Sequence, residues 1–319
     1  MKVFLSDAAG AEWELPPLLR WEVSHALCSP CDALEATVVF RQELLPVLRG
    51  AVRVRAEHGE ETVFAGTVDE AEVTADARGC LATVRCRGNQ ALLLDSEAEA
   101  ADYYRADTDF ILNRHARALG VTDIDARGCA GKRATFSVDS GESHWSVVRR
   151  FAEFCLGVTP RFSPAGTLIL DGAESGRTLT VDAKTALSAQ TFAQERCGVI
   201  GSAVVKNRVF RTQVTVTNQS MDEFGGGGRR VINVPRRTSF DAMRHTGAYQ
   251  IRRSGRDFLR CRLTLPQLFA AFPGDRVVLE ETPLGVDGDW YVSASRCFAD
   301  GTDSGTSLDL RQRYEPILK

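Results

Sequence analysis

One stretch of the chain reads as a β-hairpin and leaves little room for anything else. "ETVFAGTVDEAEVTA" (61–75) and "CLATVRCRG" (80–88) are strand-like segments joined by the turn "DARG" (76–79). In the second segment Ala82, Val84 and Cys86 alternate with Thr83, Arg85 and Arg87. A period of two with apolar residues on one side and polar on the other specifies an antiparallel sheet with one buried and one wet face. "VRVRAEH" (52–58) repeats the pattern, with Val52 and Val54 opposed to Arg53 and Arg55, and "LEATVVF" (34–40) is a further strand candidate. Gly66 inside a strand pattern marks a bulge or a tight bend.

The pattern changes after Asn89. "NQALLLDSEAEA" and "DTDFILNRHARALG" are helical in composition, the second with Asp107 or Thr108 as cap and Gly120 as stop. "DSGESHWSVVRRFAEFCLG" (139–157) predicts a helix capped by Ser143. Its apolar stripe is Trp145, Val148, Phe151, Ala152 and Cys155, and it ends at Gly157. "VTPRFSPAGTLILDG" (158–172) reads as strand, turn, strand. From there the chain returns to β: "GVIGSAVVKNRVFRTQVTVTN" (198–218), "FLRCRLTLP" (258–266), "DRVVLEE" (275–281), "WYVSASRCF" (290–298) and "TSLDLRQ" (306–312) are strand candidates. The order is β-rich, then α+β, then β-rich, with no short repeat and no αβα crossover pattern. Each β-rich part has the makings of a small barrel.

A length of 319 residues fits two or three domains. The net charge of -3 makes the chain as a whole no binder of polyanions. Val3 to Leu5 is too short an apolar run for a signal-peptide core, and nothing approaches the ~18–20 apolar residues of a membrane span, so the expectation is a protein made in the cytoplasm with no membrane partner. Nine cysteines, mostly isolated in apolar runs, read as small buried hydrophobes rather than a disulfide framework.

The only metal-like or redox-like pattern is "HALCSPCDAL" (25–34), where Cys28 and Cys31 form a C-x-x-C. Structural zinc takes four ligands, and no second close pair exists; Cys80 and Cys86 come nearest. A thioredoxin-like pair sits at a helix N-terminus, whereas Cys31 leads into "DALEATVVF", a strand. A turn around Pro30 and Asp32 is the better reading, and neither metal nor cofactor is expected. No G-x-S-x-G and no Walker motif occurs; "GGGGRR" lacks the lysine and the strand-to-helix context of a phosphate loop. Glu142, Ser143 and His144 stand at a helix start, where capping accounts for them. His25, His58 and His115 have no partner visible in the sequence. No catalytic constellation emerges.

The outstanding charge feature is residues 229–262, with ten arginines opposed only by Asp241 and Asp257. Aromatic residues for base stacking are sparse there (Phe240, Tyr249, Phe258), so contact with an acidic protein is favoured over nucleic acid. The candidate partner contacts are Arg229, Arg230, Arg236, Arg237, Arg252 and Arg253. Residues of about 218–257 are expected to form an extended hairpin or flexible loop outside the barrel.

The wording of several segments resembles the baseplate hub proteins of long-tailed bacteriophages, a group that includes the late control D-type proteins and the base of the type VI secretion spike. Val63, Phe64, Gly66, Val68, Gly88, Leu92 and Asp95 fit the segment that closes the first barrel of such proteins. "ESHWSVVRRFAEFCLGVTPRFSPAGTLIL" resembles their helix and short hairpin, and Pro273, Gly274, Asp275 and Val277 match a "PGD.V" turn of the last barrel. The resemblance implies a mainly β fold with two tail-tube-like β-barrel domains plus a small α+β middle domain. The parts are 1–95, 96–180 and 181–319, the last carrying the arginine-rich insertion. It implies a homotrimeric, non-enzymatic hub joining the hexameric tail tube (or a distal tail protein) to the trimeric spike. Such a hub is assembled in the bacterial host cytoplasm and then resides in a virion tail or injection particle. The alternatives are a tail-associated cell-wall hydrolase and a nucleic-acid-binding β-barrel protein.

Overall fold

The structure, a computed structural model, describes residues 1–27, 31–77, 79–126, 129, 133–170, 176–234 and 238–319. The N-terminal part comprises β1 (Lys2–Ser6), β2 (Glu12–Glu14), β3 (Leu18–Ala26), β4 (Ala33–Val39), α1 (Leu44–Gly50), β5 (Arg53–His58), β6 (Glu61–Asp76) and β7 (Gly79–Gly88). The middle part holds α2 (Gln90–Leu94), β8 (Ala101–Asp107), α3 (Thr108–His115), β9 (Ile124–Asp125), β10 (Arg133–Val138), α4 (His144–Phe151), β11 (Arg161–Phe162) and β12 (Leu168–Ile169). The remainder is β13 (Thr178–Val181), β14 (Ala189–Gln194), β15 (Ile200–Asn207), β16 (Thr212–Thr217), β17 (Gly228–Asn233), α5 (Phe240–Ser254), β18 (Leu259–Leu265), β19 (Arg276–Leu279), β20 (Gly288–Ala299) and β21 (Ser304–Arg311).

The protein is mainly β, as the alternation demands. Its two β-rich parts share one thirteen-stranded sheet, ordered β14-β18-β21-β20-β3-β4-β7-β6-β5-β1-β2, with β13 and β19 attached beside β20. The join is β20. Its first residues pair with β19 (Val277↔Trp290) and its later ones with β3 (Cys297↔Val23). The sheet curls about two separate cores. One contains Leu5, Leu34, Phe64, Val84 and Cys86; the other contains Leu263, Val277, Trp290, Val292 and Leu308. Ala82, Val84 and Cys86 are buried and Leu81 exposed, the two-residue period at work.

Gly66 serves close approach rather than unusual backbone. It faces Gly88 across the β6–β7 ladder, and a Cβ there would lie 2.0 Å from the Arg87 carbonyl oxygen. The bulge comes just after it, between Val68 and Glu70.

The middle part packs α2, α3, α4 and the β8–β10 ladder around Leu93, Ile111, Leu112, Trp145, Val148, Phe151 and Leu168. Asp107 caps α3 by accepting from the Phe110 N–H at 2.9 Å, and Ser143 caps α4 by accepting from the Ser146 N–H at 3.2 Å. After α4 the chain makes a π-helical turn, Ala152–Leu156, closed by Gly157 at φ +75°.

Residues 218–257 are not an extended hairpin or a loop. They contain the 3-10 turn Gln219–Phe224, β17 and the fifteen-residue α5, capped by Ser239. With β15 and β16 they form a separate three-stranded sheet, β16-β15-β17, covered by α5. Met243, Gly247 and Ile251 recur every four residues and turn one helical face onto Ala203, Val205 and Val216. A Cβ on Gly247 would lie 2.8 Å from Val216 Cγ2, so the glycine lets helix and sheet close up. The strands of 198–218 thus belong to this inserted module and not to a barrel.

Adding one methyl group at Gly66 forces apart a backbone–backbone contact that has no flexible side chain to yield. Gly66→Ala is expected to destabilise the protein by about 1–3 kcal/mol in denaturant titration. A midpoint equal to that of the parent would show that the β6–β7 ladder absorbs the methyl group.

Candidate assembly surfaces

Asp32, just after the C-x-x-C of the sequence, is 6% exposed. Cys28 and the Ser29–Pro30 bend lie outside the described residues. Asp32 Oδ1 accepts from the Ala26 N–H at 3.1 Å, and Oδ2 accepts from Gln90 Nε2 at 2.9 Å. His25 Nδ1 is 3.3 Å from Asp32 Oδ2, and its Nε2 is 3.0 Å from the Val63 carbonyl. His25 therefore does have a carboxylate partner, seven positions further along the chain. Burial pushes the Cys31 thiol up to about 12, which suppresses the thiolate that metal binding or redox exchange needs. Among the described residues no cluster of three or more metal-ligating side chains occurs.

The three parts of the chain meet at the Pro273–Gly274–Asp275 turn. Asp275, 5% exposed, accepts from the Arg177 N–H (2.9 Å), Arg177 Nη2 (3.3 Å) and the Phe272 N–H (2.9 Å). Arg177 Nη1 reaches Glu61 of β6 at 2.7 Å. Arg161 Nε, from β11, donates to the Pro273 carbonyl at 3.0 Å. Phe272 lies edge-on to His25, ring centroids 5.3 Å apart.

The wet face of the large sheet is a ladder of paired charges. Arg85 contacts Glu35, Glu70 and Glu72; Arg87 contacts Asp69 and Asp95; Arg296 contacts Glu22; Arg262 contacts Asp309. The Arg296 hydrogen bond holds the Glu22 carboxyl below the usual range. Each exposed pair is worth little alone, but together they leave this face with few unpaired charges. Eight strands span it, β14 to β6, and all seven ladders are antiparallel. Both end strands have an open edge among the described residues: β14 pairs only with β18, and β6 beyond Val68 pairs only with β7. The core-side face of each edge shows apolar residues to solvent, Phe192 (42% exposed) on β14 and Val73 (40%) on β6.

Of the arginines expected to contact a partner, Arg236 and Arg237 lie outside the described residues. Arg229 and Arg230 are exposed on β17, and Arg252 and Arg253 are exposed in the last turn of α5. The fold places all four on the inserted module. Arg230 donates to Gln250 on α5 (2.9 Å), and Arg253 donates to the Tyr249 hydroxyl (3.3 Å). Arg256 is turned inward. With Arg149 it binds Glu153, whose side chain is 2% exposed, at 3.0 and 3.1 Å, and Tyr249 donates to the same carboxylate at 3.2 Å. Burial opposes ionisation of Glu153, yet the two guanidinium groups bring its carboxyl below the ordinary range. This cluster fastens α5 to the π-helical turn of the middle part.

The residues behind the hydrolase alternative are occupied structurally. Ser143 caps α4, and Glu142 pairs with Arg150 and accepts from the Asp139 N–H. His144 Nδ1 lies 3.0 Å from Nδ1 of the buried His115, and His115 Nε2 lies 3.2 Å from the Tyr103 hydroxyl. Two rings meeting nitrogen to nitrogen share one hydrogen, and a second proton would set N–H against N–H. Burial first, then His144 and Arg114, lower His115 from 6.5 to about 4; burial also lowers His144.

Comparison with known proteins gives a match at the level of fold. No family model matches the sequence, and no curated protein matches it. The tail protein from Neisseria meningitidis MC58 superposes with a TM-score of 0.77 at 16% identity, over 97% of this chain and 96% of that one. The 43 kDa tail protein of prophage MuSo2 from Shewanella oneidensis gives 0.73 at 15% identity, over 97% and 98%. An E. coli type VI secretion component, described as similar in structure to the T4 bacteriophage tail proteins gp27 and gp5, gives 0.59 at 13% identity, over 93% and 74%. The fold is therefore that of bacteriophage tail proteins. It is shared with the type VI component as well, in keeping with the fold that the resemblance in the sequence implies.

Two predictions follow from the geometry. Asp275→Ala leaves the Phe272 and Arg177 N–H groups without their acceptor, and a loss of about 2–4 kcal/mol in unfolding free energy is expected; an unchanged denaturation midpoint would mean that water replaces the carboxylate. Because His115 binds its proton more weakly folded than unfolded, its contribution is intact above pH 6.5 and drains away as pH falls toward 4. The melting temperature should fall across that window, and His115→Phe should flatten the slope. Parallel slopes for parent and variant would remove the histidine pair as the cause.

Proposed function

We propose that this chain is a structural baseplate hub of a phage tail or related contractile injection particle, adapting a hexameric tail tube to a trimeric spike. In this reading residues 1–95 and 181–319 are two tube-like units, 96–180 the small unit between them, and three copies form a ring. Tail-tube or distal tail protein and spike are the partners. Assembly takes place in the host cytoplasm, and the finished hub sits in the particle.

The observation that carries the reading is the eight-strand antiparallel path with two open, opposite edges. Seven antiparallel steps make β14 and β6 run in opposite directions. A rotated copy therefore presents its β14 antiparallel to β6 of its neighbour, and the ladder continues across the join. The faces match too: Phe192 meets Val73, Ala71 and Ala75 on one side, while Thr191 and Ala193 meet Glu70 and Glu72 on the other. At a strand spacing of about 4.8 Å, three such paths close into a circle of roughly 115 Å circumference, about 37 Å across between backbones. The ion-paired wet face lines that opening. Two tube-like units per chain give three copies a pseudo-sixfold ring, which suits a sixfold tube on one side and a threefold spike on the other.

Light scattering should give three times the chain mass for the protein alone, or three copies of the chain per complex when the tube and spike proteins are present. Phe192→Cys combined with Ala71→Cys, Val73→Cys or Ala75→Cys should yield intermolecular disulfides under mild oxidation in at least one pairing. A persistent monomer that binds neither partner and forms no such cross-link would overturn the reading.

A further inference from the structure

The inserted module segregates charge more sharply than any other part of the chain. Residues 196–221 and 224–240 contain no carboxylate at all, yet they hold Arg196, Lys206, Arg208, Arg211, Arg229, Arg230, Arg236 and Arg237. The chain overall has 42 acidic and 39 basic residues, so this is a local concentration and not a trend.

The module's small sheet has two edges in different states. The β16 edge is tied at its end by the chain's own last residues: Thr217 and Lys319 exchange backbone hydrogen bonds at 2.9 and 3.0 Å, and beyond the strand the Gln219 N–H donates to the Ile317 carbonyl at 2.8 Å. The β17 edge pairs only with β15 among the described residues. On β17, Arg229, Val231 and Asn233 point away from α5, and Val231 is 52% exposed. Arg208 Nε donates to Asn233 Oδ1 at 2.9 Å. That bond sets the β15–β16 turn at the end of the same edge. The turn presents Val209 and Phe210, 57% and 59% exposed, between Arg208 and Arg211. It is held firmly: buried Asn207 accepts from the Val209 and Phe210 N–H groups at 3.2 and 3.3 Å.

We infer that the open edge of β17 takes an extended, acidic segment of another protein chain as an added strand. The backbone groups of β17 supply the ladder; Arg230, on the α5 side, selects carboxylates, and Val231, on the opposite side, receives the alternate apolar side chains. A nucleic acid has no amide groups to complete a β-ladder, and Phe210 alone is a poor stacking platform. The inference goes beyond the hub reading and does not require the ring, since a monomer carries the complete edge.

The test uses the full chain and a labelled ten-residue peptide of alternating valine and glutamate. Its control is an isomer with the five glutamates grouped at one end. The alternating peptide should bind about tenfold more tightly in fluorescence anisotropy and slow amide exchange across Gly228–Asn233. Arg230→Glu and Val231→Glu should each weaken it about fivefold, with circular dichroism and melting temperature unchanged. Equal binding of both peptides, absence of binding, or protection elsewhere on the chain would overturn the inference. So would displacement of the peptide by a single-stranded oligonucleotide at lower concentration. None of these outcomes bears on the oligomer mass or the β14–β6 cross-links, so the two readings fail separately.

Discussion

The arrangement of the molecule depends on one buried carboxylate. Asp275 sits where the three sequence regions converge, and it accepts from the Phe272 and Arg177 N–H groups and from the Arg177 guanidinium. Through Arg177 it is coupled to Glu61 in the first β-rich part, and through the adjoining Pro273 carbonyl to Arg161 in the middle. The buried Asp275 carboxyl thus finds a guanidinium and two amide groups as partners. The two curled halves of the sheet are thereby fixed in orientation as well as joined by hydrogen bonds along β20.

A second buried carboxylate does comparable work at the periphery. Glu153 draws Arg149 from its own helix and Arg256 from the inserted module, and Tyr249 adds a third hydrogen bond. The aromatic contacts of Phe154 with His245 and Tyr249, ring centroids 5.4 and 5.5 Å apart, extend the same interface. The arginine-rich segment thus divides its charges. Arg256 is spent inside the molecule on holding the module in place, while Arg229, Arg252 and Arg253 remain on its surface.

Local pattern was readable from the sequence, and long-range pairing was not. The alternation at Ala82, Val84 and Cys86 states both the strand and its buried face, and Ser143 and Gly157 bracket their helix because caps are local chemistry. The module was concealed by composition. Ten arginines suggested a solvated loop, although Met243, Gly247 and Ile251 already carried a helical period. The partners of His25 and His115 could not be read because Asp32 reaches back across a turn and His144 stands 29 residues away on another helix. Likewise Asp275 was legible as a turn residue, but nothing near it in the chain announces Arg177, 98 residues earlier. The edges of β14 and β6 emerge only when the strand order is known, since an open edge is a property of the sheet and not of a segment.

The continuity of β20 has a mechanical consequence. Gly288–Tyr291 hold β19 and Ala294–Ala299 hold β3, on the same side of one strand, with a register shift between Val292 and Ala294. Ladder hydrogen bonds lie across the strand direction, so tension along β20 loads them together, in shear. Tension across the sheet opens them one after another, like a zip. The join at β20 therefore resists tension along the strand more than tension across it.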